Sequence, residues 1–438
     1  MVNEQIVMNI FRRLFDAAGR VDRSEVALRV LAVFQLLLMF ATLPLWLQSG
    51  HFPVVRFFHA GLFPEFLLPA ASGMLGTGCM VLALFGSGRT GSLPSSSKVR
   101  RGNLLVGQVL AAGVISVAGN QQCLQAWHAF FLWGLTSFFL QHPQHRLSAL
   151  RQLMACVYVC SGLSRVSLSP ESGPTGMILG QLAQWLPEAL SPGPTAFKLV
   201  CQTAGFAEAA IGLLLIANGR LRATGAITAF ALHVSLLLAL GPLGLNHHAG
   251  VLLWNLSFLF LIPLVCRSTA VRANETGEHT RSLAARWLKV WSSALWLCSL
   301  AGLVGLTDAW PAWQLYSPRP EQWQLWISRE RAADLRPPFN SALSQTSVDG
   351  FVSLRLDLLS LMQTRSPLYP EDRFQLAIIE SVLQTLPEDT LFVVRIDEPV
   401  VFPWWQRHIR ELRSRVDLVR EHQRFLFNSW PSWPGADD

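Results

Sequence analysis

Between Leu28 and Leu306 the chain alternates long apolar runs with short polar connections, and this alternation outweighs every other pattern in it. Runs near 28–48, 66–87, 103–120, 124–140, 149–167, 197–216, 224–241, 249–266 and 288–306 approach the ~20 residues that cross a hydrocarbon core of ~30 Å. In lipid the backbone must satisfy its own hydrogen bonds, so each run predicts a helix. The pattern therefore predicts about nine spans by that length criterion. The runs at 103–120 and 124–140 are short and are parted only by the polar tip Asn120-Gln121-Gln122. A re-entrant hairpin is the alternative there, and it leaves later orientations unchanged because both its ends return to one side. Ahead of the first run, residues 3–17 place Ile6, Val7, Ile10, Phe11, Leu14 and Phe15 on one side at helical spacing, the pattern of a helix lying on a membrane surface.

Past residue 306 the pattern changes in kind. Short alternating stretches predict strands at 323–328 and 391–396. Pro370 opens and Leu386-Pro387 closes a predicted helix over 371–386, and a second is expected over 403–424. The expected architecture is an all-α polytopic membrane bundle with a small C-terminal extracytoplasmic α/β or α+β domain. Its units are a cytoplasmic N-terminal segment (1–27), the transmembrane domain (28–306) and the outer domain (307–438).

Charge supports this parse and fixes its direction. Half the residues are apolar (51%) and only 14% are charged, too few for a soluble surface on a chain of this size. Of the basic residues in the connections, fifteen fall in 1–27, 88–102, 141–148, 217–223 and 267–287, and one, Arg56, falls in the intervening set. That is the positive-inside bias, so the N-terminus is expected in the cytoplasm and the outer domain across the membrane. The same location disposes of a nucleic-acid role for the net charge of +7, since no basic helix or finger spacing accompanies it. The run after residue 27 is longer than a cleavable signal core, so no leader is expected. Trp46, Trp127, Trp254, Trp287, Trp310 and Trp313 fall near span ends, as an interfacial belt requires. In the outer domain, Trp404, Trp405, Trp430 and Trp433 could anchor that domain to the membrane or serve as core.

All seven cysteines lie in or beside apolar runs, where small packing residues are the ordinary reading. His51, His59, His128, His247 and His248 gather towards one face without the spacing of a zinc site, so no metal is expected. No phosphate-binding loop, dinucleotide fingerprint or hydrolase elbow is present. Ionisable groups inside spans remain, and each is costly enough to be a functional candidate. Glu208 lies mid-span in "CQTAGFAEAAIGLLLI" and His233 in "TAFALHVSLLLALG". The spans are antiparallel neighbours and the two depths agree, so a Glu–His pair sharing a proton is expected, either for base chemistry or as a buried lock between helices. Arg165 ends the fifth span, where it either snorkels to headgroups or contacts an anion or cofactor carbonyl.

Several stretches resemble the HTTM family, the membrane domain shared by vitamin K-dependent γ-carboxylase and many bacterial proteins. "LRVLAVFQLLLMF" followed by "FFHAGLFPEFLL" is similar to its first span and Gly-x-x-Pro turn, here Gly61 and Pro64. "RLSALRQLMACVYVCSGLSRVS" resembles its fifth-span motif, and "FAEAAIGLLLIANGRLRATGAITAFALHVSLLLALG" its Glu-containing span, basic turn and His-containing span. The resemblance covers roughly residues 25–266. In the carboxylase a lysine ending the fifth-span motif deprotonates vitamin K hydroquinone; here Ser164 and Arg165 hold that place, and arginine is too basic to take a proton at neutral pH. Glutamate carboxylation is therefore disfavoured. The resemblance implies a bacterial cytoplasmic-membrane protein binding a quinone-like or other lipid near the outer leaflet, with Glu208, His233 and Arg165 as catalytic candidates. The alternative is a non-enzymatic scaffold presenting the outer domain to an envelope partner. A transporter is weaker, because the halves show no internal repeat and no matching broken spans.

Overall fold

The computed structural model of the protein describes residues 22–48, 52–58, 64, 66–86, 96–166, 171, 173–187, 191–266, 278–315, 317, 320–399 and 407–432. The expected surface helix at 3–17 lies outside them, as do His51, His59, Gly61, Trp404, Trp405 and Trp433. The membrane half is built from α1 (Arg23–Ala41), α2 (Leu67–Phe85), α3 (Ser96–Gly119), α4 (Ala126–Leu140), α5 (Pro143–Ser164), a short α6 (Pro174–Ala183), α7 (Pro194–Ile216), α8 (Gly219–Leu240), α9 (Ala249–Cys266) and α10 (Glu278–Gly302). Helix α1, expected to run to 48, ends at Ala41; Pro44 cannot donate to the Phe40 carbonyl, and a separate turn, Leu43–Leu47, follows. At its other end, Asp22 caps α1 by accepting from the Ser24 backbone N–H at 2.9 Å.

Helices α1, α3, α5, α8 and α10 all begin before their apolar runs, at residues 23, 96, 143, 219 and 278 against 28, 103, 149, 224 and 288. Each early start is on the arginine-rich side. The apolar pattern marks the hydrocarbon, whereas a helix continues into the headgroup zone, where Lys and Arg are at home. Seven helices among the described residues are long and apolar enough to cross a membrane: α1, α2, α3, α5, α7, α8 and α9. Helix α4, with 15 residues, spans only about 22 Å. Helix α10 exposes Arg286 and Lys289 along one flank.

Helix α5 is the most enclosed span; Leu150, Leu153, Met154, Ala155, Cys156 and Cys160 are fully buried. Its closest neighbour is α7, and the contact is made of small residues. A Cβ on Gly162 would stand 2.4 Å from the Gly205 carbonyl oxygen, and one on Gly212 2.6 Å from that of Ala155. Lipid tails supply no hydrophobic drive between helices, so backbone approach of this kind supplies the van der Waals packing instead. The expected tryptophan belt is corrected in part: Trp46, Trp127, Trp254 and Trp313 are core residues, each no more than 9% exposed, whereas Trp287 is 52% exposed. Trp46 and Trp313 find hydrogen-bond acceptors in Thr42 and Ser299, which is what lets an indole sit inside.

The C-terminal domain is α+β. Strands β1 (Gln322–Ser328), β2 (Leu343–Val348), β3 (Phe351–Leu354), β4 (Phe392–Pro399) and β5 (Arg407–Leu412) form one antiparallel sheet in the order β2-β3-β1-β4-β5. Helices α11 (Leu356–Thr364), α12 (Asp372–Gln384) and α13 (Arg415–His422) accompany it. Alternate residues Trp323, Leu325 and Ile327 of β1 and Phe392, Val394 and Ile396 of β4 are buried with Phe374, Ile378 and Val382 of α12. The helix expected over 403–424 is corrected to β5 followed by α13. Val394 to Pro399 pair with Leu412 to Arg407, and sheet pairing overrides the local helical preference of an arginine- and glutamate-rich stretch.

The two halves are sewn together at the tip between α3 and α4. Gln121 donates to the Asn428 carbonyl at 2.7 Å and accepts from Arg373 at 3.0 Å. Gln122 donates to Ser360 Oγ and to the Pro367 carbonyl and accepts from the Tyr369 backbone N–H, at 2.9, 2.7 and 2.9 Å. Arg373 lies over the rings of Phe57 and Phe427 and binds Asp308. Burial and the neighbouring Asp308 carboxylate push Glu371 up to about 8. A carboxyl whose folded-state pKa is raised stabilises the fold fully below its unfolded value of about 4.3, and the contribution is lost as pH rises through the folded value. The melting temperature should therefore fall between pH 5 and pH 9. Glu371→Gln should flatten part of that fall, and a wild-type slope in the variant would remove Glu371 as its source.

Candidate functional site

Helix α5 carries a polar stripe inside the bundle: Tyr158, Ser161 and Arg165 at i, i+3 and i+7 share one face. Arg165 is also the C-cap of the helix, where a positive group complements the exposed carbonyls. Because Gly162 has no side chain, α7 comes close enough for Glu208 to reach this stripe. Arg165 Nη1 donates to Glu208 Oε2 at 2.6 Å and Nη2 to Oε1 at 3.4 Å. Two further bonds hold it, from Nη2 to Ser161 Oγ at 2.7 Å and from Nε to the Leu315 carbonyl at 3.0 Å. Leu315 belongs to the strap between α10 and β1, and Ser317 of the same strap donates to the Ser164 carbonyl. The arginine neither snorkels nor offers a free charge. It ties α5, α7 and the strap into one joint.

His233, on α8, is engaged elsewhere. Its Nε2 is 2.7 Å from Tyr158 Oη and its Nδ1 2.9 Å from Asn255 Oδ1 on α9. The expected Glu208–His233 pair is thus corrected: α5 presents its stripe to both, and Arg165 takes the carboxylate while Tyr158 takes the imidazole. Three residues that sequence reasoning passed over, Tyr158, Ser161 and Asn255, complete the site. Two signals could have found them. Asn255 is the one amide in the α9 run, and Tyr158 is one of three tyrosines in the chain, mid-span and in helical register with Arg165.

Arg165, Glu208 and His233 line a single cavity of about 490 Å³. Its membrane wall is apolar, with Leu232, Leu236, Val251, Trp254 and Phe258; its roof comes from the C-terminal domain, with Glu321, Asp357, Pro367 and Gln375. Burial, with Asp372 and Glu398 nearby, pushes Glu321 up to about 7. Two further wall residues, Gln125 and Trp127, keep Oε1 and Nε1 buried without a hydrogen-bond partner. An orphaned acceptor and an orphaned donor each cost about 1–3 kcal/mol, and a bound polar group could satisfy both. A volume of this size lies within the range of small-molecule sites. Among the described residues no group of His, Cys, Asp or Glu is arranged to hold a metal ion.

No family model matches the chain, and neither a curated protein nor a solved structure does so.

Proposed function

We propose that the protein is an HTTM-like membrane protein with nine crossings that binds a neutral, quinone-like amphiphile in the cavity beneath its outer domain. The observation that carries this reading is the convergence of Glu208, His233 and Arg165, from three different helices, on one space with an apolar wall below and a polar roof above. Such a space fits a molecule with an apolar ring or chain and a few polar atoms. Charge argues for neutrality. Arg165 is already neutralised by Glu208, and the other acids on the wall, Glu321 and Asp357, give an anion no cation to pair with. A role for Arg165 as an anion contact is accordingly set aside in favour of a carbonyl-sized polar contact.

Seven helices of spanning length support a multi-pass protein; the count of nine adds α4 and α10. The outward placement of the cap rests on the charge bias between connections and on its packing against residues 52–58 and 121–122, which belong to the arginine-poor set. Sharing of the cavity between the two halves favours ligand binding over a scaffold that merely displays its outer domain. Short-tailed ubiquinone and menaquinone analogues should raise the melting temperature of the detergent-purified protein, and an organic extract of that sample should carry a quinone-like lipid. A clean extract, with no thermal shift at saturating analogue, removes the reading.

A further inference from the structure

The amide of Asn255 has only one orientation available to it. Its Nδ2 donates to the Val251 carbonyl at 2.8 Å, which leaves Oδ1, an acceptor, facing His233 Nδ1 at 2.9 Å. A carbonyl oxygen cannot donate, so the imidazole must carry its proton on Nδ1. In the neutral ring Nε2 is then a bare lone pair, and it sits 2.7 Å from Tyr158 Oη. The direction of the chain follows: Tyr158 donates to His233, and His233 donates to Asn255. Turning the ring over would keep it against Phe258, which stacks on it with centroids 4.4 Å apart, but would put carbons where Nδ1 and Nε2 now meet Asn255 and Tyr158.

A hydroxyl donating to a histidine that a third group holds in one tautomer is the general form of an activated nucleophile. Tyr158, His233 and Asn255 all border the cavity, so the phenol and its base stand together on the wall of one space. We propose that Tyr158 is the reactive group of this cavity, with His233 as its base and Asn255 as the positioning residue. The site would take electrophiles carried on an apolar body. With an arylsulfonyl fluoride the step balances as follows. Tyr158 Oη forms the O–S bond, the S–F bond breaks, fluoride leaves, and the phenol proton passes to His233 Nε2. The ligand discussed above has no part in this step, so the inference stands or falls separately from it.

The test is covalent labelling of the full-length protein in detergent with a p-alkylbenzenesulfonyl fluoride, read by peptide mass spectrometry. Only three tyrosines are present, and the Tyr369 hydroxyl is already engaged with Asp308. The expected result is an adduct on Tyr158, absent in Tyr158→Phe. Its rate should fall about a hundredfold or more in His233→Gln, the scale of general-base catalysis. Gly73→Leu in α2, a helix that contributes no residue to the cavity, should label at the wild-type rate. Should His233→Gln not fold, Asn255 supplies a second pair: Asn255→Leu should slow labelling, and Asn255→Asp, which keeps an acceptor for the Nδ1 proton, should restore it. Equal rates in wild type and His233→Gln, equal rates across the Asn255 pair, or a folded wild type unlabelled at Tyr158 would each overturn the proposal. Labelling of Tyr158 in a sample that binds no quinone analogue would sink only the ligand reading.

Discussion

A Gly162→Leu variant is expected to lose the folded bundle, with the monodisperse gel-filtration peak of the detergent-solubilised protein giving way to aggregate. The cause is contact between main chains. A Cβ at 162 would stand 2.4 Å from the Gly205 carbonyl oxygen, 2.7 Å from the Ala209 nitrogen and 3.2 Å from Glu208 Cβ. Overpacking among side chains costs about 1–3 kcal/mol because rotamers can yield; helix backbones cannot yield without the helices moving apart. Separation would also pull Glu208 away from Arg165, so packing and the ion pair would fail together. Gly162→Ala should show an intermediate loss. The control is Gly73→Leu in α2, where no heavy atom lies within 4 Å of the added Cβ; this variant should behave as wild type. If Gly162→Leu and Gly73→Leu elute alike, the close crossing of α5 and α7 is refuted.

Arg165→Ala is expected to destabilise the protein by about 3–5 kcal/mol, the usual consequence of stranding one member of a buried pair. The side chains of Arg165 and Glu208 are 17% and 11% exposed, so solvent screening provides little relief. The strap should loosen as well, because Arg165 is what the Leu315 carbonyl binds. Adding Glu208→Gln should recover most of the loss, since a neutral amide needs no counter-ion. Thermal unfolding of the two single variants and the double variant closes the cycle. A double variant as unstable as Arg165→Ala would show that the stranded carboxylate is not the source of the damage.

Much of the bundle was legible because lipid imposes one rule on every span. Seven expected runs reappear as spanning helices, and four of them, α1, α3, α5 and α8, begin five to seven residues earlier than hydropathy placed them, since arginine-bearing turns stay helical beyond the hydrocarbon. The sheet was half legible: Trp323, Leu325 and Ile327 alternate visibly, but 407–412 reads as helix until β4 claims it as a neighbour. For the candidate site, mid-span charge identified Glu208, His233 and Arg165, and matched depth suggested the wrong partnership. Depth is a one-dimensional quantity. Which neighbour a side chain meets depends on the rotation of each helix about its axis and on which third helix lies between, and that is set by packing around Gly162. Tyr158 and Asn255 were silent because neither carries a charge that makes its burial look costly.

The tip glutamines tie together parts of the chain that are made far apart in time. Gln122 is 238 residues from Ser360, and Gln121 is 307 from Asn428. Contacts of that sequence separation form late, after the local helical pairs. The roof of the cavity is therefore the last part of it to be synthesised, after the helices that carry Glu208, His233 and Tyr158.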